Sequence, residues 1–422
     1  MRQESRKRAL LFYRCGKQGR KSNLLLMKRI VVMGFMTACP IAGVIWQHIH
    51  YILGLKRLGY EPIYIEDSAR YPYNPKTFEV GEKAIRQAVA TTKQLGKRFG
   101  FRWAYRARFT HPMQTYGDFT DHQIAEMFAR AEATFNLCGA QELHDEILKS
   151  RCLVYIESDP GVEQIKLDQQ VTDTLSYLRS HHIHFTFGEN IGQTDCPLPT
   201  GDIQWHATRQ PIIIDLWNKR GMLGVGRKKP SLRFTTIANW ETKGKDILWK
   251  DRVYYWSKTW EFLKFSDIPR CLGKERFKWE IATDMIKDPA SKELFKRQGW
   301  QIASPHQLSC DLDVYKRYIQ NSGAEWTPVK DQYLRLKTGW FSDRSACYLA
   351  TGRPVVIQDT LFRKFIPTGE GLFVFRNMKE ICAAAAAISA NYTKHCRKAF
   401  EIAQEYFAAE KVLRKMLCKL GI

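Results

Sequence analysis

The sequence predicts an α/β chain of two Rossmann-like halves facing across a cleft, and three observations predict it. Its 422 residues exceed what one hydrophobic core ordinarily serves, which implies about two domains. From Lys28 onward, short β-branched runs alternate with stretches of helical period, as in βαβ units with right-handed crossovers. After a segment rich in proline, glycine and basic residues at 206–230, the alternation starts again.

In order along the chain, RIVVMGF (29–35) reads as the first strand. Ile45, Ile49, Ile52 and Leu53 then recur at helical spacing until Gly59 stops the helix. EPIYIED is the second strand, and TFNLC, CLVYIES and IHFTFG extend the sheet to about residue 205. Beyond 230, LRFTTIANW, RFKWEIA, RPVVIQDT and GLFVF read as strands. KGKDILWKDRVYYWSKTWEFLKF contains a helix, and the tail from Met378 is helical by composition and period. The expected division is a disordered basic leader at 1–27, a first Rossmann-like domain at 28–205, a linker at 206–230 and a second Rossmann-like domain at 231–422. Ligands in such sheets bind outside the carboxyl ends of the strands.

Composition restricts the partners. Apolar content of 44% is ordinary for a globular chain, and the formal charge of +23 favours anionic partners such as nucleotides, nucleic acid or an acidic membrane surface. The leader holds eight basic residues against Glu4, so the body is basic too, and Met27 is an alternative start. Eleven cysteines without a CxxC pair fit a reducing compartment, with cytoplasm the default. The apolar run LLLMKRIVVMGFM is broken by Lys28 and Arg29, which suits neither a spanning helix nor a signal peptide.

Residues 337–360 carry the most chemistry. Ser342 stands at an N-cap position, DRSACYLAT follows as a two-turn helix, and Gly352 is placed to end it. The helix start would present free N–H groups, the hydroxyls of Ser342 and Ser345, and an Arg344 guanidinium expected to lie exposed: an anion site. An ordinary capped helix would carry Asp343 in the same place.

GWFSDRSACYLATGRPVVIQDT, with EGLFVF and EYFAAEKVLRKML after it, resembles the C-terminal donor half of GT-B glycosyltransferases, in particular a poorly characterised bacterial group. RIVVMGF, YIESDPG, FTFGENIG and TTIANWETKGKD extend the resemblance to most of the chain. It implies a GT-B fold of two Rossmann-like domains, the first (28–205) the acceptor domain and the second (231–422) the nucleotide-sugar donor domain, with C-terminal helices packing back. It implies a hexosyltransferase-type, nucleotide-sugar-dependent enzyme that needs no metal and no cofactor beyond that co-substrate. Gly339, Ser342, Asp343, Arg344 and Ser345 are the implied diphosphate seat. Lys258, Asn239 and Trp240, with Asp359 and Thr360, are added on the donor side. The acceptor is open, and no specific nucleic acid is expected.

For the acceptor side, Asp159 lies just past a buried strand and is the candidate base, with Glu157 beside it; His48, on an otherwise apolar helix face, is the alternative. Asp311 and Asp313 form an Asp-x-Asp that reads as helix caps, and His181, His182 and His184 do not converge on one ion. GFMTACPIAG lacks a dinucleotide fingerprint, although Glu66 and Asp67 after the second strand keep a dehydrogenase as a minor alternative. The other competing reading is a non-catalytic binder of a nucleotide, a glycan or nucleic acid.

Overall fold

The fold is described from a computed structural model over residues 28–218, 232–273, 276–285 and 288–422. The expected leader, and residues 219–230 of the expected linker, lie outside the described residues.

The first sheet is built from β1 (Arg29–Met33), β2 (Glu61–Glu66), β3 (Arg102–Ala107), β4 (Gln114–Gly117), β5 (Ala133–Leu137), β6 (Leu153–Glu157), β7 (Ile183–Thr186) and β8 (Trp205–Ala207). Its order is β4-β3-β2-β1-β5-β6-β7-β8, parallel except where β4 pairs antiparallel with β3 at the edge. A small antiparallel hairpin of Ile247–Trp249 and Arg252–Tyr254 belongs to neither large sheet. The second sheet runs, in spatial order, Gln301–Ala303, Phe277–Ala282, Leu232–Ile237, Ala324–Thr327, Val355–Gln358 and Leu372–Phe375, all parallel.

Both sheets are doubly wound. In each, the chain steps outward from its first strand in one direction, then returns to pair on that strand's other side. This leaves a crevice beside the carboxyl ends of the two central strands. In the first half the crevice lies between β1 and β5. In the second it lies between Leu232–Ile237 and Ala324–Thr327. β5, β6 and Val355–Gln358 are buried along their whole length, which explains their continuous apolar runs.

Several strands were hidden from sequence reading by internal ion pairs. RWAYRA (β3) carries Arg106, fully buried against Asp67, and AEWT (Ala324–Thr327) carries Glu325, fully buried against Arg344. The helix expected after residue 243 is short, Thr259–Leu263, because the hairpin precedes it. Lys250 and Asp251 at the hairpin turn both have positive φ, 48° and 57°, as a two-residue turn between twisted strands requires.

The tail forms three helices, Met378–Ala390, Tyr392–Tyr406 and Ala409–Leu420. The last packs back on helix Ala42–Arg57 of the first half, where Gly54 is needed: a Cβ there would meet Leu413 Cδ1 at 2.4 Å. Ile212 exchanges backbone hydrogen bonds with Phe407 and Ala409 on the same side. The halves also share an apolar cluster in which Trp249 and Tyr254 of the hairpin join Ile165, Ile191 and Leu336.

Candidate functional site

Two turns that open helices meet the cleft, one after β1 and one at 337–345 after the short helix Asp331–Arg335, and the second has the polar chemistry expected of it. Gly339 has φ 73°, and a Cβ on it would lie 2.6 Å from the Asn190 nitrogen, so glycine is what lets this loop approach the first half. Asn190 N–H donates to Thr338 O (3.0 Å), and Trp340 Nε1–H donates to Ser158 O (2.8 Å). Ser342 caps helix Asp343–Ala350 by accepting from Ser345 N–H at 3.4 Å, and Gly352, at φ 71°, follows the helix end. The Ser345 hydroxyl is buried with no hydrogen-bond partner.

Arg344 differs from expectation. Its side chain is 11% exposed and turns inward. It donates to Glu325 Oε1 (2.6 Å), Thr327 Oγ1 (2.9 Å) and Ile237 O (2.5 Å), tying together the two strands that flank the crevice. The cause is Glu325, a carboxylate with no exposure that requires a counterion.

The positive charge facing the cleft comes from lysines instead. Lys258 is buried, and its ammonium donates to Pro328 O at 3.0 Å. Burial, then the nearby Arg344 and Lys330 cations, hold its pKa well below the usual lysine range. Lys330 follows strand Ala324–Thr327 at the crevice. It pairs with Asp159 across the cleft, donates to Tyr333 OH (2.9 Å) and lies 3.3 Å from the centre of the Trp256 ring. Lys245 lies over the same ring at 4.7 Å. Burial lowers the Lys330 pKa although Asp159 opposes it. Asp343, in the first helical turn, has its pKa raised by burial and by Asp159, against the pull of Arg344 and Lys258.

Asp159 is 42% exposed and accepts from Lys330, Tyr333 and Ser158. Burial would raise its pKa, but Lys330 and Tyr333 outweigh it and hold the carboxyl at about 2. In this arrangement it is Lys330's counterion. Glu157, two residues earlier, is buried, accepts from Thr186 and Gln164, and is pushed up to about 8 by burial.

On the first-half side, His48 is fully buried and neutral, its pKa lowered to about 4 by burial. Nδ1–H donates to Val44 O (2.7 Å), and Nε2 accepts from Phe35 N–H (3.4 Å). It fills the space beside Gly34, where a Cβ would come within 2.0 Å of Nε2. Glu66 accepts from Thr37 N–H (3.0 Å), Thr37 Oγ1 (2.5 Å), Ala38 N–H (3.3 Å) and Tyr64 OH (2.6 Å). Asp67 is held by Arg106, Arg108 and His144. Neither carboxylate that kept a dehydrogenase open is available to a ribose.

The remaining expected residues lie around this centre. Asn239 is exposed after strand Leu232–Ile237. Trp240 is core, stacked on Phe262 and donating to Asp288. Asp359 pairs with Arg363 and caps Leu361 N–H, while Thr360 donates to Trp340 O. Asp311 caps helix Leu312–Asn321, and Asp313 pairs with Arg98. Among the described residues, Asp67, His144 and Glu146 have metal-ligand spacing, but the Arg106 and Arg108 guanidiniums already bind the same carboxylates.

Sequence reading missed Lys330, Tyr333 and Lys245. The sequence signal for Lys330 is weak: it stands three residues past Ala324–Thr327, a four-residue strand that Glu325 disguises.

No protein-family model matches the chain, and no curated protein matches it in sequence. Solved structures match it in fold over nearly its whole length. A glycosyltransferase from Rickettsia africae superposes with a TM-score of 0.55 at 10% identity, covering 94% of this chain and 98% of that one. HepE from Anabaena, in complex with UDP and glucose, gives 0.54 at 9% identity, covering 93% and 99%. An alpha-glucosyltransferase in complex with UDP and a 13-mer DNA gives 0.52 at 10% identity, covering 94% and 100%. These are GT-B glycosyltransferases, and the chain has the GT-B fold.

Proposed function

We propose that this GT-B chain is a glycosyltransferase that moves a sugar from a nucleoside diphosphate sugar to a hydroxyl acceptor, without a bound metal. The single observation that carries the reading is the group of Lys245, Lys258 and Lys330 beside the start of helix Asp343–Ala350. Burial and mutual repulsion depress the pKa values of Lys258 and Lys330 there. A cation kept from its usual charge state first by burial and then by neighbouring cations is a site that an anion completes. It lies at the crevice of a doubly wound sheet, where such sheets bind ligands. UDP bound in the solved HepE and alpha-glucosyltransferase structures supports a nucleotide as that anion.

The residues divide the reaction as follows. Diphosphate oxygens take hydrogen bonds from Lys258 and Lys330, from the Ser345 hydroxyl, and from the N–H groups that open the helix. Lys330 thereby exchanges Asp159 for phosphate, and the Asp159 carboxyl returns toward the ordinary carboxylate range. Asp159 then accepts the proton of the acceptor hydroxyl as its oxygen bonds to the anomeric carbon. The bond from that carbon to the diphosphate breaks, and the departing oxygen keeps the electron pair beside the lysines.

UDP at ~100 times its dissociation constant should stabilise the chain by about 2.7 kcal/mol, read as a rise in melting temperature. No rise with any nucleoside diphosphate would remove the reading. Asp159→Asn should lower turnover by about 10²–10⁴-fold while that rise persists. Near-parental turnover would instead assign the proton to the departing phosphate.

A further inference from the structure

Four of the nine large hydrophobic side chains exposed among the described residues come from one short stretch: Leu248, Val253, Tyr255 and Trp260. Single exposed apolar residues need no account, but a contiguous stripe does. Leu248 and Trp260 are more than half exposed, at 59% and 55%. Leu248 and Val253 are directly opposed across the hairpin, so both point from the same face. Tyr255 continues that face two residues on, and its ring lies 6.2 Å from that of Trp260. We propose that this stripe joins two copies of the chain as a two-fold pair, whatever reaction the cleft carries out.

The hairpin holds the stripe in place from behind. Its other face is core, where Trp249 and Tyr254 are buried with Ile165, Ile191 and Leu336, and Trp249 Nε1–H donates to Asp168 at 2.7 Å. The outward carbonyls at its two edges are taken as well: Gln169 Nε2–H donates to Leu248 O (2.7 Å), and Arg335 donates to Val253 O. Another chain therefore meets the face of this hairpin and not a free strand edge. A face anchored in this way has little freedom to lose on docking, which favours association.

Charge selects the partner. In a chain of formal charge +23, an acidic membrane or a nucleic acid is drawn to surfaces where basic residues are in excess. The rim of this stripe is balanced instead. At the hairpin tip Lys250 and Arg252 flank Asp251, and at its base Glu241 and Asp246 flank Lys243, while Lys245 lies over the Trp256 ring at the cleft. The tip is net positive and the base net negative. A two-fold axis lying across the hairpin sets the tip of one copy against the base of the other, so that opposite charges meet around the apolar centre. Elsewhere the shared positive charge keeps two copies apart. An apolar centre with a rim of both signs is the anatomy of a protein contact, and the stripe itself is a surface that matches it. The contact ends at the cleft, because Tyr255 is followed by Trp256, over whose ring Lys330 lies.

Sedimentation equilibrium on the full chain over the micromolar range should show a concentration-dependent pair. Leu248→Glu, which sets an unpaired carboxylate at the centre of the contact, should weaken it by about a hundredfold. Lys250→Glu makes the tip net negative and Glu241→Lys makes the base net positive, and each alone should weaken the pair by about tenfold. An equimolar mixture of these two variants should restore it. The altered tip of one then meets the altered base of the other, and restoration also shows that both variants are folded. A monomer at every concentration, a pair that Leu248→Glu leaves intact, or a mixture that stays as weak as its components would overturn the proposal. Vesicles of phosphatidylserine and phosphatidylcholine test the competing occupant. Vesicle binding by a chain that sediments as a monomer, lost in Leu248→Glu, would make the stripe a membrane surface and overturn the pair.

Discussion

The two turns that meet the cleft each open a helix, one from a strand and one from a short helix, and they are filled differently. At 34–42 the chain leaves β1 and enters helix Ala42–Arg57. At 337–345 it enters helix Asp343–Ala350 after a glycine that approaches the other half. In the first turn, the N–H groups of Thr37 and Ala38 that could hold an anion are already taken by the chain's own Glu66. In the second, the nearby cations outnumber their partners, because Glu325 serves Arg344 and Asp159 serves Lys330, leaving Lys258 only a carbonyl. Topology offers both turns as ligand sites. Internal charge pairing closes the first and leaves the second open for the phosphate proposed above.

The sharpest way to break this comparison is Arg344→Ala. It leaves Glu325 buried without its counterion, which should cost about 3–5 kcal/mol and lower the melting temperature strongly. Adding Glu325→Gln should restore part of the loss. A variant that melts as the parent does but loses UDP would return Arg344 to the exposed, ligand-facing role first expected from the sequence.

Lys258→Met tests the unfilled turn. The side chains are close in volume, and the change removes a buried charge, so stability should hold. UDP affinity should fall by about one to two decades, for a charge-assisted bond of about 1.5–3 kcal/mol. The pH dependence has a definite sign. Burial and neighbouring cations lower the Lys258 pKa in the free chain, and a bound diphosphate raises it. UDP binding therefore takes up a proton at pH values between the two, and affinity falls as pH rises. Calorimetry in two buffers of different ionisation heat measures the uptake, which should shrink in Lys258→Met. Equal uptake in both proteins would place the titrating group elsewhere.

Glu66→Gln tests the filled turn. It removes the charge that accepts from Thr37, Ala38 and Tyr64, and should cost about 1–3 kcal/mol with UDP affinity unchanged. A loss of UDP affinity larger than that of Lys258→Met would show that the first turn also holds the nucleotide.

Much of the fold was legible because its signals are local. Apolar runs marked β1, β2, β5, β6 and β7, and helical period marked the tail. Ser342 and Gly352 marked both ends of one helix by cap chemistry alone. Strands β3 and Ala324–Thr327 escaped because Arg106 and Glu325 interrupt their apolar pattern, and nothing local reveals that each charge is paired inside.

The sequence by itself determined the class of the fold, the doubly wound alternation, and a capped helix after a polar turn, since each depends on residues within a few positions of one another. Only the tertiary structure decided the direction of Arg344, the pairing of Lys330 with Asp159 across 171 positions, and the closing of the first turn by Glu66. The physical reason is that a buried charge takes its partner from whatever the sheet order brings alongside. Strand Ala324–Thr327 reaches Arg344 and, through Lys330, Asp159 only after both sheets have formed and their crevices face each other.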